Sequence, residues 1–499
     1  MPMLPDPPNP PRRWLRWVLA LLLLCTAAAL AGAAYLLRNA PVESAWKRTP
    51  MELVRYAERR LQGHPRLERL FVPTLERIRR LQEREPPASL PTLGKGQQEV
   101  LAFDVDFDAT GRPRLLPASA VAARPTTTLV RGIDELQAAF AAAAPGQVIE
   151  LAPGRYAVAR TLHTARAGLP ERPIVVRAAK PGTVEMVVTS QVGVDVTQPH
   201  WVFMNLAWRG ACAQHDDCEH AFHVSGAGRG TAIVNNRIAD FNAHVKVNGV
   251  NGAWPDDGLL QFNTLANTKP RSTALPVNGL DLVGANGWQV LDNAIERIVK
   301  DGGDRIAYGL CVKGAGSAAR IERNLVVCTP ERLSQPGLRV GISLGCGATG
   351  QRFCRDGRCE AELIDSVVAN NVVAHCNDFG IDLHRVRGVQ VAHNTLVNTE
   401  GIDARHASTR ALAVGNLIEG RMRSRDGAAL DARDNVQISS LDVMLNAPHA
   451  LDLRWLEASN RSRSTPETAR DFCGRTRPPF SPPGATVQAR CDEGAAAKP

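Results

Sequence analysis

Residues 279–295 read GLDLVGANGWQVLDNAI, and residues 309–326, GLCVKGAGSAARIERNLV, repeat the same pattern. Each segment opens on Gly-Leu-x-Leu/Val and closes on an Asn that is followed, two positions on, by Ile or Val. The opening has the period-two alternation of a β-strand, and the Asn marks a bend that can take left-handed backbone geometry. Together they predict a repeated unit of short strands.

The closing asparagine recurs through the middle of the chain, each time with Ile, Leu or Val two positions on. These residues are Asn236, Asn263, Asn293, Asn324, Asn371, Asn394 and Asn416. A unit of roughly 22 residues with variable insertions is typical of a solenoid, in which each turn buries its apolar side against its neighbours. Asparagines at equivalent bends predict a ladder of hydrogen bonds from turn to turn.

The Gly-led strands predict which residues share a surface. Because side chains alternate along a strand, their Leu, Ile and Val positions point inward and the residues between them point outward. Stacking the turns therefore predicts two outward columns. The first contains His223, Lys246, Asp281, Cys311, Ser343, Asp382 and Asp403; the second contains Ser225, Asn248, Val283, Lys313, Gly345, His384 and Arg405.

The repeat is preceded by a short helix, IDELQAAFAAAA, and by PGQVIELAPGRYAV, PIVVRA and VEMVVT, which are β-type runs. This opening and the Asn repeat resemble the right-handed parallel β-helix proteins of the pectate-lyase-like superfamily, nearest to polysaccharide lyases of the chondroitinase B and alginate lyase type. The resemblance covers about residues 127–440. It implies an all-β fold, a right-handed parallel β-helix with an N-terminal capping helix. It also implies an external substrate groove, a Lys and Arg acid/base pair and often a calcium ion.

The resemblance and the columns nominate three catalytic residues, Lys313, Arg405 and His384. Lys313, in LCVKG, matches the catalytic lysine of a Val-Lys-Ser motif in those lyases. β-Elimination from a uronate requires a base for the C5 proton, a donor for the O4 leaving group and positive charge near the carboxylate. A solvated lysine on a strand is the alternative meaning of Lys313.

The chain departs from that pattern at the metal site. Ile306 and Tyr308 stand where the family carries its calcium glutamates, and no Arg-His-Gly follows at the expected interval. Calcium stays an open alternative, and the adjacent Asp382 and Asp403 are candidate ligands because like charges at that spacing need a cation, a shared proton or an arginine. Arg339, or Arg405 with His406, could replace the missing arginine.

Other outward polar residues are candidates for substrate binding. They are His223, Lys246, Trp254, Asp281, Arg339, Ser343, Asp382, Asp403 and His406. The insertions 249–275 and 345–361 are long enough to be loops that frame this face. Trp254 could stack on a sugar ring, with simple packing as the alternative. The second insertion has an arginine-rich tip, which could bind anions or be only a stabilised turn.

The chain ends predict a separate organisation. Residues 17–37, WVLALLLLCTAAALAGAAYLL, carry no charge and are long enough for one transmembrane helix, with a cleaved signal peptide as the alternative. The resulting division is a cytoplasmic tail (1–16), a transmembrane anchor (17–37), a helical stalk (38–99), an extended linker (100–126), the β-helix domain (127–456) and an irregular tail pinned by Cys473 and Cys491 (457–499).

Cysteine usage predicts the compartment. Of 11 cysteines, Cys25 lies in the apolar segment, and the even number that remains suits an oxidising environment. Three pairs are close enough in sequence to close loops, whereas four cysteines need the fold to bring them together. The pairs are Cys212 with Cys218, Cys354 with Cys359 and Cys473 with Cys491; the four are Cys311, Cys328, Cys346 and Cys376. The absence of a CxxC pair argues against zinc. The main domain is therefore expected outside the cytoplasm, in the periplasm or at the cell surface.

The charge balance predicts the partner class. With 59 Lys+Arg against 50 Asp+Glu, the net charge of +9 favours a polyanion, and without nucleotide-binding motifs we expect an acidic polysaccharide and no nucleic acid. The predicted function is a membrane-anchored extracytoplasmic lyase that cleaves a uronate-containing polysaccharide by β-elimination. A uronate C5-epimerase, a glycoside hydrolase using Asp382 and Asp403, and a non-catalytic glycan-binding or envelope-scaffolding protein stay open, as does the oligomeric state.

Overall fold

The computed structural model describes residues 93–122, 124, 126–329, 337–438, 462–487 and 491, with helical positions at 67, 70, 71, 73–75 and 77. The predicted transmembrane anchor, the cytoplasmic tail and most of the stalk lie outside these residues. Among the helices in the described part, none is both long and apolar enough to span a membrane.

The domain begins with an antiparallel hairpin, β1 (Phe103–Phe107) and β2 (Pro113–Pro117). The extended linker predicted for 100–126 is wrong here, because Val105 and Phe107 are buried against the outer face of the β-helix. Lys95, in the predicted stalk, is also buried against the domain, with its Nζ 2.8 Å from an Asp292 carboxylate oxygen. The sequence between 93 and 117 is therefore part of the globular domain.

Helix α1 (Ile133–Ala142) covers the N-terminal end of the solenoid. Its buried face includes Leu136 and Phe140, and the Phe140 ring lies 5.2 Å from the Trp201 ring. This is the capping helix that the sequence predicts. The described part also contains short 3-10 helices at Ala118–Ala120, His215–Asp217, Gln351–Phe353 and Pro466–Thr468.

Three long parallel sheets enclose one apolar core, and most turns of the chain add one strand to each. Sheet 1 comprises β3 (Thr126–Val130), β4 (Gln147–Leu151), β7 (Ile174–Ala178), β10 (Trp201–Met204), β13 (Ala232–Val234), β16 (Leu259–Gln261), β19 (Gln289–Leu291), β22 (Gly316–Ser317), β23 (Arg320–Glu322), β26 (Leu363–Ile364), β27 (Val367–Ala369), β30 (Val386–Ala392), β33 (Arg410–Val414) and β36 (Ala429–Arg433).

Sheets 2 and 3 have the same parallel arrangement. Sheet 2 comprises β5 (Gly154–Val158), β8 (Val184–Val188), β11 (Ala207–Gly210), β14 (Arg237–Ala239), β17 (Thr264–Ala266), β20 (Ala294–Glu296), β24 (Leu325–Val327), β28 (Val372–Ala374), β31 (Thr395–Val397), β34 (Leu417–Glu419) and β37 (Val436–Ile438). Sheet 3 comprises β6 (Leu162–His163), β9 (Val192–Val196), β12 (His220–Ser225), β15 (Ala243–Asn248), β18 (Val277–Val283), β21 (Ile306–Lys313), β25 (Leu338–Leu344), β29 (Ile381–His384), β32 (Gly401–Arg405) and β35 (Arg421–Arg425). The predicted all-β parallel β-helix is confirmed.

The asparagine ladder is present and buried. Each side-chain amide, from Asn236 to Asn416, donates to the side-chain oxygen of the next ladder residue over 2.8–3.1 Å, and the ladder runs on to Asn435. The expected left-handed geometry falls one position earlier, on the residue before each asparagine, where φ is 51–63°. That residue makes the bend, which leaves the asparagine free to turn its amide into the ladder.

The C-terminal segment packs against the outside of sheet 2. It contains a short antiparallel pair, β38 (Ser462–Arg463) and β39 (Phe480–Ser481). Phe472 and Ala485 are buried with apolar residues of sheet 2, and a disulfide joins Cys473 to Cys491. The pinning predicted from these two cysteines is therefore present.

Candidate functional site

Sheet 3 aligns the first predicted column strand by strand. The paired residues are His223 with Lys246, Lys246 with Asp281, Asp281 with Cys311, Cys311 with Ser343, Ser343 with Asp382 and Asp382 with Asp403. Leu280 and Leu282, on either side of Asp281, belong to the apolar core. The column residues therefore face away from the core, as the alternation predicts.

The second column also follows the register. Ser225, Asn248, Val283 and Lys313 are paired in succession, and His384 is paired with Arg405. Lys313 and Arg405 end strands that are three steps apart in sheet 3, which corresponds to about 14 Å at the usual strand spacing. Their side chains also have different neighbours, so the structure does not bring this predicted acid/base pair together.

Much of the first column is covered, although it faces away from the core. The residues from Asp281 to Asp403 in this column are 0–3% exposed. A disulfide joins Cys311 to Cys346, which anchors the start of the 345–361 insertion over the middle of the sheet. The column is thereby divided into an upstream cluster (His163, Asp195, His223, Lys246, Asn248, Asp281 and Lys313) and a downstream cluster (Ser343, Asp382, His384, Asp403, Arg405, His406 and Arg425).

Two lysines act on one buried carboxylate in the upstream cluster. Lys246 Nζ lies 2.6 Å from Asp281 Oδ2. Burial would raise the pKa of Asp281, but the charges of Lys246 and Lys313 outweigh burial and hold the pKa below its ordinary value. The Lys313 side chain is half-buried and has no hydrogen-bond or ion-pair partner among the described residues. Its ammonium group is therefore available to a ligand.

Two further members of the upstream cluster extend the column toward α1. Asp195 lies between two imidazoles, with His163 Nδ1 at 3.4 Å and His223 Nδ1 at 3.3 Å from its carboxylate oxygens. His223 Nε2 is 2.9 Å from Asn248 Oδ1. The sequence prediction missed His163 and Asp195, although the runs LH at 162–163 and VDV at 194–196 show the same alternation.

The upstream end of this row is open. A depression of about 660 Å³ is lined by His163, Arg160, Ser190 and residues of α1. A second cavity, of about 610 Å³, lies between the N-terminal hairpin and sheet 1, away from both clusters. Of the two, only the first continues the row of polar side chains.

The carboxylates of the downstream cluster have their own arginines. Asp382 accepts a 2.6 Å hydrogen bond from the Ser343 hydroxyl and a 3.1 Å bond from Arg405. Arg425 donates to both oxygens of Asp403, with Nη2 2.8 Å from Oδ2. Burial raises the pKa of Asp382 above its ordinary value, while Arg405 and Ser343 act in the opposite sense.

This pairing corrects the roles predicted for Asp382 and Asp403. Both carboxylates are buried and oriented by arginines, so they do not fit a calcium site or the open acid/base pair of a hydrolase. In the described part, the only close group of metal-ligating types is Cys354, Asp356 and Cys359. Those two cysteines form a disulfide and cannot serve as thiolate ligands.

His384 is enclosed rather than presented to a substrate. It is 4% exposed and stacks on His406 with ring centroids 4.3 Å apart. Burial, together with the positive charges of Arg405 and His406, lowers the pKa of His384 to about 3. A weakly basic, covered imidazole does not fit the catalytic role predicted for it. His406 is less buried than His384, but burial is also the main cause that lowers its pKa.

Arg339 also differs from its prediction. It is 2% exposed, and its backbone N–H donates to Asn377 Oδ1 over 2.8 Å. Its side chain belongs to the interior and cannot reach a surface ligand without rearrangement.

The two insertions meet and form a wall beside Lys313. Arg355 donates to both carboxylate oxygens of Asp256 over 2.6 and 2.9 Å, and its guanidinium lies 5.3 Å from the Trp254 ring. The Trp254 ring packs on Gly284, where an added Cβ would lie 2.1 Å from a ring atom. Trp254 therefore packs against protein on two sides, and Arg355 is not the free anion-binding tip that the sequence suggested.

All ten cysteines after Cys25 are paired. The three pairs close in sequence form as expected, and the fold joins the remaining four as Cys311–Cys346 and Cys328–Cys376. The sequence left this second connectivity open, because it depends on which turns of the solenoid are adjacent.

Comparison with known proteins gives only distant likenesses. No family model matches the chain, and no curated protein matches it. An alginate lyase from Paenibacillus sp. str. FPU-7 is 16% identical, with 63% of this chain and 99% of that chain covered and a TM-score of 0.41. Pectate lyase Pel9A is 16% identical, with coverage of 74% and 91% and a TM-score of 0.49. The GH136 lacto-N-biosidase from Eubacterium ramulus is 12% identical, with coverage of 63% and 68% and a TM-score of 0.42.

These similar structures include both lyases and a glycosidase, and at such scores they carry no argument about the reaction. The assignment of a parallel β-helix rests on the strand registers of the chain itself.

Proposed function

We propose that the chain is a lyase that cleaves a uronate-containing polysaccharide by β-elimination at the upstream cluster of sheet 3. The observation that carries the proposal is the pair of lysines around buried Asp281, one bound to it and the other without a partner in the described part of the chain. This arrangement offers positive charge to a sugar carboxylate and leaves one amine for proton transfer.

In this proposal Lys313 is the base. It takes the C5 proton of the bound uronate. Lys246, held by Asp281, stabilises the negative charge that develops on the uronate carboxylate. The C4–O4 bond then breaks, a double bond forms between C4 and C5, and O4 takes a proton from water.

His223 binds the substrate in this proposal and does not act on the bond that breaks. It is paired in register with Lys246 and lies three strands, about 14 Å at the usual spacing, from Lys313, which is the separation that also excludes Arg405. Both nitrogens of its ring already lie close to protein oxygens, with Nδ1 3.3 Å from Asp195 and Nε2 2.9 Å from Asn248. Asp195 and Asn248, on either side of the His223 ring, hold its orientation.

A second candidate function is glycan binding without catalysis. It is favoured by Arg405 and Arg425, which are partly exposed and are held by the buried carboxylates of Asp382 and Asp403, so that their guanidinium groups form a fixed cationic surface. The buried, arginine-bound state of Asp382 and Asp403 gives no comparable support to hydrolysis.

We also propose that the protein acts outside the cytoplasm, anchored by residues 17–37. The five disulfides of the described residues support an oxidising compartment, and the uncharged length of 17–37 supports the anchor.

The direct test is incubation of the purified full-length chain with alginate, chondroitin and pectate. A lyase generates an unsaturated uronate, which is detected by its ultraviolet absorbance. New reducing ends without that absorbance would instead indicate hydrolysis, and incorporation of solvent deuterium without cleavage would indicate epimerisation. Binding without any turnover would favour the second candidate.

A further inference from the structure

One exposed aromatic ring stands close to the proposed catalytic lysine. Phe353, at the end of the short 3-10 helix Gln351–Phe353, is 53% exposed. An isolated apolar side chain at a protein surface is common and needs no function. Phe353 differs from such isolated side chains in three respects: its position relative to Lys313, the restraints on its loop and the positive charge beside its ring.

The placement is fixed by a backbone hydrogen bond. The Arg355 N–H donates to the carbonyl oxygen of Gly314 over 3.0 Å, and Gly314 directly follows Lys313. Phe353 is two residues from Arg355, and two residues of extended chain span at most about 7 Å. The Phe353 backbone therefore lies within the length of a few sugar units of the Lys313 backbone.

The loop that carries Phe353 is held at several points. Disulfides join Cys346 to Cys311 and Cys354 to Cys359. The Thr349 N–H and hydroxyl donate to the two carboxylate oxygens of Glu362, each over 2.7 Å. Because the loop is already ordered, a ligand that stacks on Phe353 would lose little affinity to loop ordering.

The neighbouring charge selects the ligand. The Arg352 guanidinium carbon lies 4.5 Å from the centroid of the Phe353 ring. An aromatic face accepts the apolar C–H face of a pyranose, and an adjacent guanidinium accepts a carboxylate in bidentate geometry. We propose that Phe353 and Arg352 form a subsite that binds one uronate unit of the polysaccharide beside the unit at Lys313. This inference rests on the proposed function for its substrate class.

The test measures binding separately from turnover. Uronate oligosaccharides are titrated by calorimetry into full-length Lys313→Ala protein, with and without the additional changes Phe353→Ala, Phe353→Trp or Arg352→Gln. We expect Phe353→Ala to weaken binding about 10-fold, which is the usual scale for loss of one aromatic stacking contact. Phe353→Trp should restore the affinity. Arg352→Gln should weaken binding of uronate oligosaccharides more than binding of neutral ones.

The matched control is Phe480→Ala, which removes another exposed phenylalanine (63%) from the C-terminal segment and should not change the affinity. Unchanged affinity in Phe353→Ala, or equal losses in Phe353→Ala and Phe480→Ala, would overturn the subsite. Oligosaccharide binding that depends on Phe353 in a chain without lyase activity would refute the β-elimination proposal and still support this subsite. A chain that binds no oligosaccharide would refute both.

Discussion

Two stacked rows run along this solenoid, and they differ in what repeats. The asparagine ladder places the same residue in every turn from Asn236 to Asn416, buried and hydrogen-bonded to its successor. The first column of sheet 3 places a different residue in every turn, with His223, Lys246 and Asp281 in succession. Both rows follow from the same strand registers.

In this solenoid, the residues that stabilise the repeat and the residues of the candidate site occupy different rows. A buried amide is costly unless its partners are present, and identical asparagines provide those partners to one another in each turn. The column residues are mostly buried too, but their partners are unlike side chains, such as Lys246 for Asp281 and Arg405 for Asp382, so the residue can differ from turn to turn. Uniform repetition therefore marks the scaffold, and variation in a fixed register marks the candidate site.

The largest effect on activity should come from a substitution in the upstream cluster of sheet 3. Replacing Lys313 by Ala should reduce turnover by about 10²–10⁴-fold, the usual contribution of a general base. The free energy of unfolding should decrease only modestly, because Lys313 acts on Asp281 through its charge and its side chain has no hydrogen-bond or ion-pair partner among the described residues. Turnover is measured from the ultraviolet absorbance of the product, and stability from denaturant unfolding.

Lys180→Ala removes an exposed lysine from the bend that follows β7 and serves as the control. A fully active Lys313→Ala protein would remove this lysine from the mechanism and leave glycan binding as the better function.

The next largest effect should be a loss of stability caused by substitutions in the asparagine ladder. Asn293 donates to Asn324 and to the Leu260 carbonyl, so Asn293→Ala leaves buried groups without partners and should reduce the free energy of unfolding by about 2–4 kcal/mol. Asn435→Ala, at the half-buried end of the ladder, should cost less. Equal losses at both positions would contradict a cost set by burial, and denaturant unfolding measures both.

The pH dependence of stability should distinguish two carboxylates of the first column, Asp281 and Asp382. The folded-state pKa of Asp281 is lowered, so its stabilising contribution is present above the ordinary Asp pKa and is lost as the pH falls through the folded value. The folded-state pKa of Asp382 is raised, so its contribution decreases as the pH rises from the ordinary value through the folded one. Asp281→Asn should therefore destabilise the protein most at neutral pH, whereas Asp382→Asn should compare more favourably with wild type at neutral pH than at acid pH.

These shifts can be measured by unfolding each variant between acid and neutral pH. The same pH trend for both variants would show that Lys246 and Lys313 do not dominate the surroundings of Asp281.

The smallest effect on stability should come from the ion pair that joins the two insertions beside Lys313. Asp256→Asn removes a partly exposed ion pair with Arg355, so it should reduce the free energy of unfolding by less than about 1 kcal/mol. Hydrogen exchange should nevertheless accelerate in residues 345–361, and KM should rise more than kcat falls. If hydrogen exchange accelerates only outside residues 345–361, Asp256 does not hold this loop in place.

The sequence supported some parts of the site better than others. The alternation around Asp281 and Asp382 was sufficient to place them in one column, because the strand period is fixed by backbone geometry. It was not sufficient to show that both would be buried, since the coverage comes from Cys346, Arg405 and other residues outside their own strands. His163 and Asp195 were missed because their strands lie before the asparagine repeat that guided the stacking.

The parallel β-helix, the outward-facing residues and their neighbours on successive turns could all be predicted from the amino-acid sequence. Those properties follow from local periodicity and from a buried amide's need for a partner. The folded chain was needed to show which charges pair, which column residues are covered, how Cys311, Cys328, Cys346 and Cys376 are joined, and that Lys313 is separated from Arg405. These depend on side-chain direction and on insertions that cross the sheet, neither of which has a sequence period.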